Sequence, residues 1–371
     1  MLVALLATAS ALVPFGAANA AYRFSDFQGK PPVHVYRSAE KAPSGVTPAE
    51  IKKIYNLPAT GGKGTIALID AYDDVNMESD LAAFDKQFNL PACTMANGCF
   101  EKHKMATSTA SNSGWAMETS LDVEWAHAIA PNAKILLVEA KTPSGANLMS
   151  AVDYAAARKD VVAVSMSWGG AEFSDELAED SHFVGKASSS VAFFASSGDD
   201  GAGASWPASS PNVIGVGGTS LELASSGTLI AESAWSGSGG GVSAYEKEPA
   251  WQTAYKISKA NGMRAIPVVS YVADPASGYP VYLTTGTGSK AKGSWNTVGG
   301  TSAGSPQWAA IQALGGTAAL DKFYTDKAST STLKFFRDIT SGSNGTCKYY
   351  CDARKRYDYV TGLGSPQTTR F

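Results

Sequence analysis

Short apolar segments alternate along this chain with segments of helical spacing, and this order restricts the folds that the chain can adopt. The apolar segments occupy residues 64–70, 134–140, 161–167, 191–196 and 212–216. The segments with helical spacing occupy residues 78–88, 118–129, 147–158 and 175–187. Strands that are apolar on both faces are typical of a parallel sheet with helices on both sides. The pattern therefore predicts an α/β fold with a mostly parallel sheet.

Composition and charge indicate a globular protein that does not bind nucleic acid. Of the 371 residues, 44% are hydrophobic and 17% are charged, which supplies enough apolar material for a large core. The formal net charge is −3, and the sequence contains no basic run. Because the positive surface that attracts DNA or RNA is absent, we expect no nucleic-acid partner.

Local signals predict further elements outside the alternating pattern. Thr47, Pro48 and Glu50 match an N-cap, a first-turn proline and a capping-box glutamate, so a short helix is predicted there. Another helix is predicted over residues 302–314. Residues 237–292 are rich in Gly, Pro and Tyr, and we expect loops and a hairpin in this part of the chain.

Residues 1–20 have the features of a secretory signal peptide. An apolar run is followed by the small residues Ala-Asn-Ala, which predicts cleavage after Ala20. No Lys or Arg precedes the run, and an uncleaved membrane anchor is the alternative, although the run is short for a bilayer span. We expect a secreted monomer without membrane attachment after cleavage, with an irregular lead at residues 21–44 and one domain at residues 45–371.

The four cysteines form two closely spaced pairs. Cys93 and Cys99 are six residues apart, and Cys347 and Cys351 are four apart. Three pairings are open to four cysteines, and an even number in an exported protein favours two local disulfides. Zinc ligation is the alternative, although neither spacing is typical of a zinc site and no histidine is close in sequence.

Ser302 is the first candidate for a catalytic residue. It follows two glycines at a predicted helix start, where free N–H groups and the helix dipole suit a nucleophile whose attack creates an oxyanion. An ordinary helix N-cap is the alternative. A serine nucleophile usually needs a histidine base, but we expect surface or packing roles for all four histidines, which are His34, His103, His127 and His182.

A pair of carboxylates offers a different base. Glu118 and Asp122 are four residues apart on a predicted helix, so they lie on one face and can share a proton. A solvated acidic face is the alternative, and we expect Glu124 to be solvated. In acid an imidazole is protonated while a carboxylate still exists as a base, so serine with glutamate suits catalysis at low pH.

Asp199 is the third candidate. It follows the apolar segment 191–196, so it is expected in a loop at the carboxyl edge of the sheet, where ligands bind in α/β proteins. A buried aspartate that keeps its proton can donate a hydrogen bond to a developing oxyanion. An Asx turn is the alternative.

Together these segments resemble the sedolisin family of serine-carboxyl peptidases, which have a subtilisin-like fold. The likeness extends over about residues 45–366 and rests on six segments in order. These are the acid pair Glu118 and Asp122, APNAKI at 130–135, SMSWGG at 165–170, SGD at 197–199, GGTSA at 299–303 and DYVTGLGSP at 358–366.

The resemblance implies a role for each candidate residue. Ser302 would be the nucleophile, and Glu118 would act as general base and then general acid. Asp122 would orient Glu118, and a protonated Asp199 would donate to the oxyanion. The strand formed by Ser167, Trp168 and Gly169 would pair with an extended polypeptide substrate.

The resemblance also implies a calcium site near the C-terminus. Its ligands would be Asp338, the Ile339 carbonyl, the carbonyls of Arg354 and Arg356, and Asp358. Where the family has glycines, this loop carries arginines, whose charges would have to point away from the ion. Two solvated loop acids are the alternative.

The function expected from these residues is that of a secreted, acid-acting serine endopeptidase that uses a Ser/Glu/Asp triad and binds Ca²⁺. A catalytically silent, calcium-stabilised exported binding module is the alternative from another class. A conventional Ser-His-Asp protease is a third reading, and it requires a histidine next to Ser302.

Overall fold

An eight-stranded sheet forms the centre of the computed structural model, which describes residues 22–107, 110–186, 191–316, 320–324 and 335–368. The predicted signal peptide lies outside these residues. The strands, numbered along the chain, follow in spatial order as β10 (Leu229–Ala234), β9 (Ile214–Leu223), β7 (Ala192–Ser196), β5 (Val161–Met166), β2 (Thr65–Ala71), β4 (Lys134–Ala140) and β3 (Phe100–Lys104). A further strand, β13 (Val269–Val272), also pairs with β9. Every pair except β10 with β9 is parallel, which confirms the predicted sheet.

Helices cover both faces of this sheet. Helices α3 (Ser113–Ile129), α4 (Gly145–Ala156) and α6 (Gly304–Ala313) pack on the sheet. The other helices of the described residues are α1 (Pro48–Ile54), α2 (Met77–Phe88), α5 (Ala250–Tyr255) and α7 (Leu320–Phe323). Alternate β2 residues face opposite ways, so Ile66 and Leu68 pack with α3 and α6, while Ala67 and Ile69 pack with α4. Among the described residues, no helix is long and apolar enough to cross a membrane.

Smaller sheets surround the central one. A three-stranded antiparallel sheet contains β1 (His34–Glu40), β15 (Lys292–Gly299) and β14 (Tyr279–Thr285). Three two-stranded sheets pair β6 (Gly170–Ala171) with β8 (Ser205–Trp206), β11 (Gly241–Lys247) with β12 (Met263–Ile266), and β16 (Phe336–Arg337) with β17 (Ser365–Pro366). The region predicted as loops and a hairpin therefore holds several short strands.

The helices predicted from local signals have different outcomes in the structure. The capping box is confirmed, because Thr47 and Glu50 bond reciprocally at the start of α1. The helix predicted at residues 175–187 is wrong in type, since the segment forms a 3₁₀ helix at Glu176–His182. The helix predicted over residues 302–314 is present but begins two residues later. A 3₁₀ turn at Thr301–Ala303 comes first, and α6 follows it.

The lead predicted as irregular contains a 3₁₀ turn at Phe24–Asp26 and the strand β1. Six of the seven β1 residues are exposed, so the strand carries no apolar alternation that the sequence could display. This segment forms a strand because its backbone pairs antiparallel with β15.

Both local disulfides are present, Cys93–Cys99 and Cys347–Cys351. His127 lies close to the first pair, although it is distant in sequence. Because each sulfur is bonded to its partner, neither is available to zinc as a thiolate. The disulfide prediction is therefore the correct one of the two alternatives.

Candidate active site

Ser302 lies in the 3₁₀ turn that leads into α6, and it is buried. Its Oγ donates a hydrogen bond to Glu118 Oε2 at 2.9 Å. Gly300 starts the turn with φ +127°, a conformation that favours glycine. The chain thus presents the hydroxyl to a carboxylate from another helix.

Glu118 and Asp122 lie one turn apart on α3, which begins at the cap formed by Asn112. Both carboxyls are fully buried, and burial together with the charge of Asp122 raises the pKa of Glu118. A hydrogen bond between two carboxyl groups requires one of them to carry a proton. Ser167 Oγ lies 2.8 Å from Asp122 Oδ1 and 3.2 Å from the Ser302 carbonyl oxygen. Burial raises the pKa of both carboxyls well above their ordinary values, so the pair holds a proton over a wide pH range.

Glu124 corrects the expectation of a solvated acid. It is fully buried, and its Oε2 accepts a hydrogen bond from the Tyr282 N–H at 3.0 Å. Almost every side chain of α3 from Trp115 onward is buried, because the helix lies between the central sheet and neighbouring elements. Helix α3 therefore has no solvated face at this position.

Asp70 is a residue of this site that sequence reasoning missed. It lies near the end of β2 and is fully buried. Burial and the charge of Glu139 raise the Asp70 pKa to about 8, and the charge of Asp70 in turn raises the pKa of both Glu118 and Asp122. An acid at the end of an otherwise apolar strand segment was the available signal.

Asp199 lies in the loop after β7, as predicted. Its Oδ1 accepts hydrogen bonds from the N–H and the Oγ1 of Thr301, each at 2.8 Å. Burial raises the pKa of Asp199, which favours the protonated form that an oxyanion donor needs. These contacts attach Asp199 to the residue immediately before Ser302.

His34 is exposed, as expected for a surface residue, but it also contacts a candidate catalytic residue. Its Nε2 lies 3.1 Å from Asp199 Oδ2, and this contact raises the pKa of His34. The other histidines have partners elsewhere: His103 stacks on Tyr154, His127 contacts the Pro91 carbonyl, and His182 contacts Asp153. The hydrogen-bond partner of the Ser302 hydroxyl is a carboxylate, which does not support the Ser-His-Asp reading.

The N-terminal lead lies along the predicted substrate strand. Lys30 and Gly169 exchange two backbone hydrogen bonds, at 3.0 and 3.1 Å. On the other side, the Gly29 N–H donates to the Pro143 carbonyl and the Gly145 N–H donates to the Phe27 carbonyl, at 2.8 and 3.1 Å. The lead is therefore an extended peptide held between two backbone segments.

The backbone and the side chains of the predicted substrate strand have different partners. The Trp168 side chain is buried and donates from its indole N–H to the Ile69 carbonyl at 2.8 Å. The Ser167 hydroxyl faces Asp122. The backbone of Gly169 is the part of this strand that pairs with the lead.

Beyond Lys30 the lead passes close to Asp199 and Gly300. A Cβ added to Gly300 would be 2.0 Å from the Pro32 carbonyl oxygen and 2.5 Å from Asp199 Oδ2. His34 then pairs with Gly299, the first residue of the glycine pair before Ser302. The Pro32 carbonyl therefore lies where the predicted oxyanion donor could reach it.

The five predicted calcium ligands lie in two loops that pack together. The Arg356 N–H donates to Asp338 Oδ2, and the Arg354 N–H donates to Asp358 Oδ2. The other oxygen of Asp338 is buried and has no hydrogen-bond partner among the described residues. Ile339 is buried against Ala234, Ala353 and Val360. An unpartnered carboxylate oxygen fits a hard cation such as Ca²⁺.

The second predicted carboxylate ligand, Asp358, already has hydrogen-bond partners in this loop. Asp358 accepts four hydrogen bonds, from Arg354, Val360 and Thr361, so it would exchange one of them for an ion. Burial raises the Asp358 pKa to about 7. The Arg354 side chain lies over the Tyr349 ring and contacts Asp352 at 3.3 Å.

The parallel sheet and the serine–carboxylate contact at its edge define a subtilisin-like α/β protein that pairs its serine with glutamate. The sequence profile of the subtilase family matches residues 104–333. The chain belongs to this family, and within it to the sedolisins.

The relatives support this assignment. The chain is 29% identical to sedolisin from Pseudomonas sp. (strain 101) over 86% of its length, and 30% identical to kumamolisin from Bacillus sp. (strain MN-32) over 89%. It spans 60% and 63% of these two proteins. The solved structure of Pseudomonas sedolisin (serine-carboxyl proteinase), complexed with two molecules of pseudo-iodotyrostatin, is 27% identical with a TM-score of 0.72. The match covers 89% of this chain and 96% of that one.

Proposed function

We propose that this protein is an acid-acting serine endopeptidase. The observation that carries the proposal is the 2.9 Å hydrogen bond from Ser302 Oγ to Glu118 Oε2. Ser302 Oγ attacks the carbonyl carbon of the substrate while Glu118 accepts the hydroxyl proton. The C–N bond breaks as that proton passes to the leaving amine, and water then hydrolyses the acyl-enzyme by the same route.

Two aspartates assist these steps. Asp122, one helical turn from Glu118, would share a proton with it and orient it toward Ser302. A protonated Asp199 donates a hydrogen bond to the oxyanion of the tetrahedral intermediate. The substrate is an extended polypeptide that pairs with the Gly169 backbone, as the lead does here.

The proposal includes calcium, export and a monomeric state. Asp338, Ile339, Arg354, Arg356 and Asp358 would hold Ca²⁺, which would add a link between two loops that already meet through the Arg356 N–H and Asp338. The apolar N-terminal segment and the two disulfides favour an exported protein.

Proteolysis of denatured haemoglobin between pH 3 and pH 7 tests the function. We expect cleavage by the native chain and none by Ser302→Ala. The matched control is Ser305→Ala, because Ser305 lies on the next turn and its hydroxyl contacts Ser165. Absence of cleavage by the native chain throughout this range would instead favour the catalytically silent binding module.

A further inference from the structure

An aromatic pocket lies beside the peptide-binding strand, and Phe27 of the lead fills it. Phe27 is fully buried, and its ring centroid is 4.7 Å from Trp206, 5.7 Å from Phe173 and 6.4 Å from Trp168. The rings meet edge to face or tilted, which are favourable arrangements for aromatic pairs. The pocket therefore holds an aromatic side chain in specific contacts.

The floor of this pocket depends on a glycine. A Cβ added to Gly170 would lie 2.8 Å from Phe27 Cε2, and its three nearest atoms would all belong to the Phe27 ring. The φ of Gly170 is not in the left-handed region, so its backbone does not itself require glycine. The missing side chain leaves the space that the ring occupies.

The pocket belongs to the same backbone that binds the peptide. Gly170 pairs with Trp206 between β6 and β8, directly after the Gly169 that pairs with Lys30. Phe27 enters the pocket from an extended backbone whose carbonyl accepts a hydrogen bond from Gly145. A substrate paired in the same register would place its own side chain in this pocket.

We propose that this pocket is a specificity subsite for an aromatic side chain of the substrate. The side chain would lie five residues before the residue whose carbonyl is attacked, as Phe27 lies five residues before Pro32. The inference rests on the proposed peptidase function and adds a preference to it. In this structure, Phe27 of the chain's own lead occupies the subsite.

Peptide binding tests the subsite without requiring catalysis. The full chain would carry Ser302→Ala to prevent cleavage and Phe27→Ala to weaken its own lead. Fluorescein-labelled peptides would copy residues 25–34, either with Phe27 or with Phe27→Ala. By fluorescence anisotropy at pH 5, we expect at least about tenfold tighter binding of the phenylalanine peptide.

A register control uses a third peptide with Phe27→Ala and Gln28→Phe, because residue 28 follows Phe27 in the extended segment and its side chain is exposed. Successive side chains of an extended strand point to opposite faces, so this peptide should bind no better than the alanine peptide. Adding Gly170→Ala to the chain should remove most of the phenylalanine advantage, with a thermal melt to verify folding. Equal affinities for the phenylalanine and alanine peptides, or no binding of either, would overturn the proposal.

Cleavage assays with Ser302 intact separate the subsite from the peptidase function. Two substrates differing only in Phe or Ala at this position would be compared by kcat/KM. If neither is cleaved, the peptidase function fails, while the binding result still decides the subsite. If both are cleaved at equal kcat/KM, the function holds and the subsite is refuted.

Discussion

Ser302 Oγ and Glu118 Oε2 are joined by a 2.9 Å hydrogen bond between the turn before α6 and the middle of α3. The residues are 184 positions apart in the chain, and both are fully buried. The glutamate is therefore the group placed to accept the serine proton.

Removing this acceptor should abolish most peptidase activity. We expect Glu118→Gln to lower kcat by about 10²- to 10⁴-fold, which is the usual contribution of a general base. Glu124→Gln is the matched control, because Glu124 is buried on the same helix but contacts Tyr282. Initial rates on a fluorogenic peptide measure both. Alanine in place of His103, His127 or His182 should leave peptidase activity close to that of the native chain. A loss of activity in a folded variant would contradict the assignment of Glu118 as the base.

The pH profile should be an acidic bell. Activity should fall at low pH as the Glu118–Asp122 pair takes up a second proton, and at higher pH as Asp199 loses the proton it donates. Asp199→Asn retains a donor that does not ionise, so the alkaline limb should move to higher pH. The measurement is kcat/KM against pH for both chains. An optimum near pH 8 in the native chain would indicate different chemistry.

Stability should decrease as pH rises from about 4 to 9. Burial raises the pKa of Glu176 to about 9, so this group stays protonated in the folded state after it has ionised in the unfolded state. The unfolded state then binds fewer protons, and the free energy of unfolding falls with pH. Thermal melts should give a Tm higher by roughly 5 °C at pH 4.5 than at pH 8.

Glu176→Gln tests the origin of that slope, because an amide does not titrate. This variant should show a weaker dependence of Tm on pH, whereas the exposed Glu222→Gln should retain the native dependence. The same slope in the native chain and in Glu176→Gln would exclude Glu176 as its source.

Calcium should raise the Tm at pH 7.5. An ion at a hundredfold excess over its Kd adds about 2.7 kcal/mol to the free energy of unfolding. The Asp358 pKa of about 7 means that protons compete with calcium below that pH, so the effect should shrink at pH 5. Melts with CaCl₂ and with EGTA measure the difference.

Asp338→Asn and Asp358→Asn should each remove most of the calcium effect. Asp352→Asn is the control, because Asp352 lies in the same loop but contacts the Arg354 side chain. A Tm that EGTA leaves unchanged in the native chain would show that this loop does not bind calcium.

Local sequence signals were sufficient for several parts of this protein. The alternation of apolar and helical segments predicted the parallel sheet, and the spacing of Glu118 and Asp122 placed them on one helical face. Each of these features depends on residues that are near one another in the chain, so its physical cause can be read in a short window. Ser302 was predicted from its neighbours for the same reason.

Only the tertiary structure decided which of these residues meet. The burial of Glu124, the approach of Asp70 to the acid pair, and the place of His34 beside Asp199 all depend on packing between distant elements. The path of the lead is likewise determined by backbone hydrogen bonds to Pro143, Gly145 and Gly169, and by the ring contacts of its Phe27. Backbone pairing and desolvation act between segments far apart in sequence, so a local pattern carries no record of them.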